Sequence, residues 1–235
     1  MKTSKETHLF EAEFIESLNH ELRSKSAIER IRHTWQVSSG KAIFTTSFGI
    51  NSALMLYLAS KAVPQIPVVW IDTGYHFQET YEFAEQLKEL LNLNLKVYNP
   101  AITNKRAEIL YGKLWEQGNQ GLKRYEYIHK IEPMNRALRD LDAKAWITGL
   151  YQKSSSKHTE IHIASWQDNI VKVHPIAEWT DNDVAQYLKE KGLPYHPLRE
   201  KGYSYIGDWH STKPPIRKET NTGKHEINYV IDYQI

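Results

Sequence analysis

The sequence predicts an α/β protein with a mostly parallel sheet flanked by helices. Short apolar runs of strand length alternate along the chain with segments whose apolar residues recur at helical spacing. Chains with that alternation build β–α–β units, whose strands pair in parallel. From Pro197 onward glycine, proline and polar residues dominate. We therefore expect an α/β domain over residues 1–196 and a flexible C-terminal tail, 197–235, that folds over a ligand.

The first half of the chain supplies three predicted strands. Residues 10–35 carry apolar side chains at helical spacing, so helices open the chain. The first core strand is predicted at 41–46 and the second at 66–72. A helix over 78–91 then leads to a third strand at 93–98.

The second half is predicted to return to the sheet after a long helical stretch. Residues 105–140 are mostly helical in pattern, with an interruption rich in glycine and aromatic residues. Apolar runs at 145–150 and 171–176 indicate further strands. Thr180, followed three residues later by Asp183, has the spacing of a capping box and predicts another helix.

The composition excludes several classes of function. Lys plus Arg total 30 and Asp plus Glu total 28, so there is no overall basic field for nucleic acid or membrane surfaces. The N-terminal residues carry no signal-peptide pattern and no apolar run is long enough to span a bilayer, so we expect a soluble, cytoplasmic protein. The sequence contains no cysteine, which excludes disulfides, thiolate zinc sites, cysteine-held iron–sulfur clusters and a cysteine nucleophile.

Eleven histidines raise the question of a metal site. Only His162, close to Glu160, has a carboxylate near it in a pattern resembling a ligand set, and we expect no metal site. His129, His174 and His196 belong to no such pattern and are expected to be ordinary structural or surface residues.

A turn of small residues follows the first predicted strand. Residues 47–52 read SFGINS and lead into an apolar, helix-forming segment at 53–61. Backbone N–H groups at a helix N-terminus bind anions, because they are unpaired and lie at the positive end of the helix dipole. An ordinary tight turn explains the same residues equally well.

The second predicted strand ends in a carboxylate close to a glycine. Asp72 and Gly74 lie at the carboxyl edge of the predicted sheet, where open parallel sheets bind their ligands. Asp is also a common helix N-cap. The residues alone leave both roles of Asp72 open.

Five segments of the chain resemble, in order, blocks of the phosphoadenylyl-sulfate (PAPS) reductase family. They are SFGIN (47–51), DTGYHFQETY (72–81), YGKLWEQG (111–118), KIEPMNRAL (130–138) and GYSYIGDWHST (202–212). The resemblance implies an adenine-nucleotide α-hydrolase-like sheet of the PP-loop or HUP type, related to ATP pyrophosphatases. It also implies a homodimer, with PAPS or a close relative as the small-molecule ligand and no other cofactor.

The resemblance further implies a set of substrate-binding residues. The phosphosulfate would lie against the turn after the first strand, and the adenosine would lie near the turn after the second. The matching positions are Ser47, Phe48, Gly49, Asn51, Asp72, Gly74, Lys130, Arg136, Gly149 and His210.

The family's catalytic cysteine is replaced in this sequence. In the family, the thiolate of a Glu-Cys-Gly-Leu-His segment attacks the sulfate sulfur, and thioredoxin then releases sulfite. The best match is 221–225, in which Thr222 stands at the cysteine position and His225 aligns. A threonine hydroxyl is far less ionised than a thiol, and its sulfate ester offers thioredoxin no sulfur to attack. We therefore expect Thr222 to be inactive, thioredoxin not to be a partner, and His225 to be the remaining acid–base candidate.

Several arginines that meet the substrate's anionic groups in the family are also replaced. The loop after Gly149 carries Lys153, Lys157 and His158 instead, and Lys213 takes the place of a later arginine. Lysine offers a point charge where arginine offers a planar, bidentate fork, so the ligand's anionic groups are expected to differ from those of PAPS. Because these positions changed together, natural divergence is favoured over a single engineered substitution.

Three functions remain open on this sequence. The first is an enzyme that acts on the phosphosulfate of PAPS, or of another activated adenylate, without covalent catalysis. The second is a non-catalytic module that binds an adenine nucleotide. The third is reduction of PAPS by a thiol supplied from outside the chain. Resemblance in fold does not choose among them.

Overall fold

The computed structural model describes residues 4–152, 161–167, 170–214, 216–218 and 226–228. Within them the helices are α1 (Ser4–Arg23), α2 (Ala27–Val37), α3 (Ser52–Ala62), α4 (Gln78–Leu91), α5 (Asn104–Tyr111), α6 (Gly118–Glu126), α7 (Glu132–Asp140) and α8 (Asp181–Glu190). Short 3₁₀ turns lie at Leu114–Glu116 and Pro197–Arg199, and a π-helical turn, Tyr127–Ile131, joins α6 to α7. The strands are β1 (Ala42–Thr46), β2 (Val68–Ile71), β3 (Leu95–Tyr98), β4 (Ala145–Ile147), β5 (Ala164–Gln167), β6 (Ile170–Val173), β7 (Ile216–Lys218) and β8 (Glu226–Asn228).

Six strands form one sheet in the order β3-β2-β1-β4-β6-β5. All neighbours pair in parallel except β5, which runs antiparallel to β6 at the edge. Strand β1 lies near the centre, where Phe44 is in register with Val68 of β2 on one side and with Ile147 of β4 on the other. The predicted mostly parallel sheet flanked by helices is confirmed.

The strand order reverses at β1. The chain runs from β1 outward through β2 to β3, and then crosses back to place β4 on the opposite side of β1. In open parallel sheets, such a reversal separates the loops that follow the two inner strands and leaves a crevice between them. The fold therefore provides a binding crevice at the carboxyl ends of β1 and β4.

Helix α3 forms the centre of the core on one face of the sheet. Its side chains are apolar nearly all round, which is the pattern of a buried helix and not of a surface helix. It contacts α2, α4 and α8 as well as β1. Because α3 follows β1 directly, this packing fixes the helix N-terminus at the crevice.

Two polar residues attach the N-terminal helices to the sheet. The buried Arg30 guanidinium donates to the backbone oxygens of Leu22 and Pro175 and pairs with Glu178 at 2.8 Å. The Asn19 amide pairs with both backbone groups of Ala164 on the edge strand β5. Satisfying these groups covers an edge that would otherwise remain open to pairing with another chain.

The sequence missed two features of this architecture. Strand β5 was not predicted, because only a short, mostly polar run marks it, and the β7–β8 pair falls in the segment predicted as a tail. The third strand also begins later than predicted, since the backbone N–H of Leu93 still donates to the carbonyl of Lys88 in the last turn of α4.

Among the described helices, none combines the length and the apolar content that crossing a membrane would require. The proposed boundary at residue 196 stays a prediction.

Candidate functional site

A cavity of about 470 Å³ opens at the carboxyl ends of β1 and β4. Its apolar base comes largely from β1 and α3, with Phe44, Leu54 and Met55 among the contributing residues. Three segments form its walls, namely the 47–52 turn, residues 149–151 after β4, and residues 204–206. The cavity therefore lies in the crevice that the reversal of strand order creates.

The 47–52 turn joins β1 to α3 through local hydrogen bonds. The Thr46 hydroxyl accepts from the backbone N–H of Phe48, and the Ser52 hydroxyl donates to the carbonyl of Gly49 at 2.8 Å. Helix α3 begins at Ser52, and the side chain of its N-cap residue, Asn51, makes no capping hydrogen bond. The first turn of α3 is thus left without a side-chain cap beside the cavity, although the backbone N–H groups of Ser52 and Leu54 donate to the carbonyls of Gly49 and Asn51.

Phe48 supports this turn from beneath instead of lining the cavity. Its ring is completely buried and meets Trp70 edge-on, with ring centroids 5.0 Å apart. Its backbone φ is +50°, a left-handed conformation that a bulky residue rarely adopts. The packing of the ring in the core holds that conformation in place.

Two glycines allow close approach at the cavity. A Cβ added to Gly49 would lie 3.4 Å from the Ser47 hydroxyl oxygen and 3.7 Å from the Ile206 carbonyl oxygen, so it would occupy space at the wall. A Cβ added to Gly149 would come within 3.1 Å of Met55. The missing side chain leaves room at the cavity wall beside Gly49 and lets the backbone at Gly149 approach Met55 of α3.

A hydrogen-bonded chain crosses the cavity wall through Tyr151. The Asn51 amide donates to the Tyr151 hydroxyl, which in turn donates to the Asp181 carboxylate, each at 3.1 Å. This chain fixes the Asn51 side chain at the start of α3. Sequence reasoning missed Tyr151, although its position directly after Gly149 and Leu150 at the end of a predicted strand was a usable signal.

Asp72 shapes the second β–α turn. Its carboxylate accepts from the backbone N–H of Gly74 at 2.8 Å, from the Tyr81 hydroxyl at 2.7 Å and from the Asn99 amide at 3.1 Å. Helix α4 begins at Gln78, so Asp72 does not cap it. Burial, followed by the hydrogen bond to Asp72, raises the pKa of Tyr81, which therefore remains a donor.

Gly74 is required by its conformation. Its φ is +74°, and a Cβ at this position would collide with the side chain of Asn104. Asp72 and Gly74 lie outside the residues that line the cavity, at the end of β2, the strand next to β1.

The two predicted cations on the helical stretch also lie outside the cavity lining. Arg136 donates to the carbonyl oxygen of Asn99 at 2.6 Å and pairs with Glu132 at 3.1 Å. Lys130 pairs with the buried Asp208 at 3.2 Å. Both cations are thus engaged by groups of the protein.

The predicted residues of the C-terminal blocks divide into two groups. His210 stacks on Trp115 with ring centroids 4.1 Å apart, and its buried ring nitrogens have no hydrogen-bond partner among the described residues. Burial lowers the pKa of His210, so the ring is neutral. Lys213 is exposed where the chain leaves this segment. The predicted residues that lie outside the described part of the chain are Lys153, Lys157, His158, Thr222 and His225.

Asp208 was not singled out, although it lies within the GYSYIGDWHST block. Its carboxylate is 1% exposed and accepts from the hydroxyls of Thr73 and Tyr125 in addition to its pairing with Lys130. Nothing in the local sequence distinguishes this aspartate from a solvent-exposed one. Its partners come from distant parts of the chain.

The three histidines expected to be structural or surface residues are all buried. The His196 ring accepts from the backbone N–H of Leu198 at Nδ1, which leaves Nε2–H to donate to Thr80, and the His196 backbone N–H reaches the carbonyl of Ile50 in the cavity turn. Burial lowers the pKa of His174 and of His196 to about 4. In the described ranges no cluster of metal-ligating side chains occurs, and Glu160, the possible partner of His162, lies outside them.

The fold and the cavity together define a class of protein. A mostly parallel sheet with a reversal of strand order, and a helix without a side-chain N-cap at the reversal, is the architecture of nucleotide-binding α/β proteins. Residues 41–214 match the phosphoadenosine phosphosulfate reductase domain, and the chain belongs to that family.

Curated relatives and a solved structure agree with this assignment. The chain is 45% identical over 210 residues to the phosphoadenosine 5′-phosphosulfate reductase of Xylella fastidiosa strain M12, covering 88% of this chain and 89% of that protein. The crystal structure of PAPS reductase from Candida auris, a phosphate complex, matches with a TM-score of 0.73 and 27% identity, over 91% of this chain and 98% of that one.

A more distant structure shares the fold alone. The FMN adenylyltransferase of Candida glabrata matches with a TM-score of 0.58 at 17% identity, over 91% of this chain and 76% of that one. The sheet with its helices is therefore common to proteins of different activity, and the fold does not by itself identify a reaction.

The buried histidines predict how stability depends on pH. Because the folded pKa values of His174 and His196 lie near 4, below the unfolded value of 6.5, the stabilisation from these two residues is complete above pH 6.5 and is lost as the pH falls toward 4. His196→Asn retains an acceptor for the Leu198 N–H but does not titrate. Urea unfolding at several pH values should show a shallower acid loss for this variant than for the wild type. An unchanged slope would contradict the assignment of a neutral, buried His196.

Proposed function

We propose that this chain binds PAPS or a closely related activated adenine nucleotide in the cavity, and acts on the phosphosulfate without the cysteine–thioredoxin mechanism. The observation that carries the proposal is the uncapped N-terminus of α3, which faces the cavity where the order of the strands reverses. Membership in the phosphoadenosine phosphosulfate reductase domain family supports the same class of ligand.

The cavity suits a nucleotide with an apolar base and an anionic end. Its volume of about 470 Å³ lies within the range of small-molecule sites. The phosphosulfate would lie against Ser47, Gly49 and Asn51, where backbone N–H groups and the dipole of α3 favour negative charge. The complex of the Candida auris reductase with phosphate supports anion binding in a protein of this fold.

The remaining anionic groups of the ligand need cations. In this proposal Lys153, Lys157 and His158, on the loop that follows Gly149, supply them together with Lys213. Asp72 and Gly74 would lie on the adenosine side, at the end of β2. Arg136 and Lys130 would act indirectly, because the structure engages both with protein groups.

The chemistry must begin with a nucleophile other than cysteine, since the sequence has none. A thiol from outside can attack the sulfate sulfur, break its bond to the bridging oxygen and form an S-sulfonate. The electron pair of the broken bond leaves with the nucleotide phosphate. A second thiolate then attacks the thiol-derived sulfur of the S-sulfonate, a disulfide forms between the two thiols, and sulfite leaves with the electron pair of the broken S–S bond. If the acceptor is water or another hydroxyl, His225 is the acid–base candidate and Thr222 is inactive. The missing cysteine equally favours a module that binds the nucleotide without turnover.

The assay that separates these possibilities uses the purified protein and PAPS, with and without a small thiol or thioredoxin. We expect PAPS to bind, and sulfite to appear above the protein-free rate only when a thiol is present. Release of the 3′,5′-bisphosphate nucleotide without sulfite would indicate sulfo transfer or hydrolysis instead. Binding without turnover would indicate a non-catalytic module that binds the nucleotide, and failure to bind PAPS would contradict the proposal.

Gly49→Val tests the location of the anion. An added Cβ at this position makes only ordinary van der Waals contacts, and the valine methyl groups would extend it at the wall against which the phosphosulfate would lie. PAPS affinity, measured by calorimetry, should fall about tenfold or more while the melting temperature changes little. Ala12→Val, at an exposed position of α1, is the matched control and should bind as the wild type does. Equal affinity in the two variants would place the anion elsewhere.

A further inference from the structure

The outer wall of the cavity is formed by a segment that has little regular structure of its own. Ser204, Tyr205 and Ile206 line the cavity, yet they belong to neither a helix nor a strand. Ile206 nevertheless packs closely on the first turn, because its carbonyl oxygen lies 3.7 Å from the Cβ position of Gly49. Something beyond these residues must fix their position.

Two anchors lie directly beyond this segment, namely the Gly207 backbone N–H, which donates to the Thr212 hydroxyl at 3.0 Å, and the side chain of Asp208. Its buried carboxylate pairs with Lys130 at 3.2 Å and accepts from the Tyr125 hydroxyl at 2.9 Å and from the Thr73 hydroxyl. Its backbone forms an isolated antiparallel bridge with His76. The partners belong to the loop after β2, to α6 and to the π-helical turn, so one side chain joins three parts of the fold to the wall segment.

The π-helical turn at 127–131 explains how two residues of one helical stretch reach the same carboxylate. In an α-helix, residues five apart point in clearly different directions, whereas a helix with hydrogen bonds from i to i+5 brings such residues toward one face. Tyr125 and Lys130 are five residues apart in the sequence. The Lys130 ammonium lies 5.8 Å from the centre of the Tyr125 ring. Both therefore converge on Asp208.

Removing the charge of Lys130 leaves the buried Asp208 carboxylate without its closest cation, which raises the free energy of the folded state. Burial alone raises the pKa of Asp208, but the attraction of Lys130, with the hydrogen bonds, outweighs it and holds this pKa below its usual value. A buried carboxylate that loses its main cation retains the cost of desolvation, which the hydroxyls of Thr73 and Tyr125 and the His76 ring, 3.7 Å away, offset only in part. Lys130 is partly exposed, so the charge of Asp208 suffers more than that of Lys130 when the pair is broken.

We propose that Asp208 and Lys130 are positioning residues that hold the 204–206 wall against the 47–52 turn and thereby set the affinity of the cavity for its nucleotide. The inference rests on the proposed function only for the identity of the ligand. The position of the wall can be measured without any ligand.

The test compares Lys130→Met with Lys201→Met. Both changes remove one lysine charge, but Lys201 forms only an exposed pair with Glu79 in the same C-terminal stretch. We expect Lys130→Met to weaken PAPS binding about tenfold and to speed amide hydrogen exchange at 204–207, with exchange in α3 unchanged. Lys201→Met should alter neither quantity, and Lys130→Arg should restore both.

The single variant Asp208→Asn and the double variant Asp208→Asn/Lys130→Met complete a thermodynamic cycle with Lys130→Met. If the pair acts as a unit, the double variant should bind PAPS at least as well as Lys130→Met alone, because the uncompensated carboxylate is gone. Unchanged exchange at 204–207 in Lys130→Met, or an equal increase throughout the chain, would overturn the inference. If the wild type fails to bind PAPS, the proposed function fails, while the exchange measurement still decides whether this pair positions the wall.

Discussion

The end of β1 is the point on which the rest of the site depends. Because β2 and β4 lie on opposite sides of β1, the loops that follow β1 and β4 diverge and leave a crevice between them. Helix α3, which follows β1, is buried on nearly every side and cannot move away. The start of this helix is therefore held at the crevice by the core, and in the proposed function the positive end of its dipole favours the anionic end of the ligand.

The walls around this rigid centre are held by polar contacts between distant parts of the chain. Tyr151 links Asn51 to Asp181, and Asp208 links the outer wall to Lys130. The Asp208 carboxylate is buried, whereas the hydrogen bonds of Tyr151 are partly buried, so the loss of a partner costs more at Asp208. The cavity thus combines a centre fixed by the core with walls fixed by contacts between segments that are distant in the sequence.

The sequence predicted the parts of the molecule that depend on local pattern. The strands that contain Phe44 and Val69 are apolar on both faces, and the Thr180 capping box has a fixed spacing, so both could be recognised directly. Strand β5 could not, because its pairing and the cover supplied by Asn19 come from elsewhere in the chain. The role of Asp208 could not be predicted for the same reason, since nothing near it in the sequence indicates that its carboxylate is buried.

In the proposed function, the N-terminus of α3 holds the phosphosulfate of an adenine nucleotide. A crystal structure with PAPS tests it most directly, through the distances from the phosphosulfate oxygens to the backbone nitrogens of residues 49–52. We predict hydrogen-bond distances of about 2.7–3.2 Å to at least one of these nitrogens. A ligand whose phosphosulfate lies away from this turn, with the cavity between β1 and β4 left empty, would contradict the account.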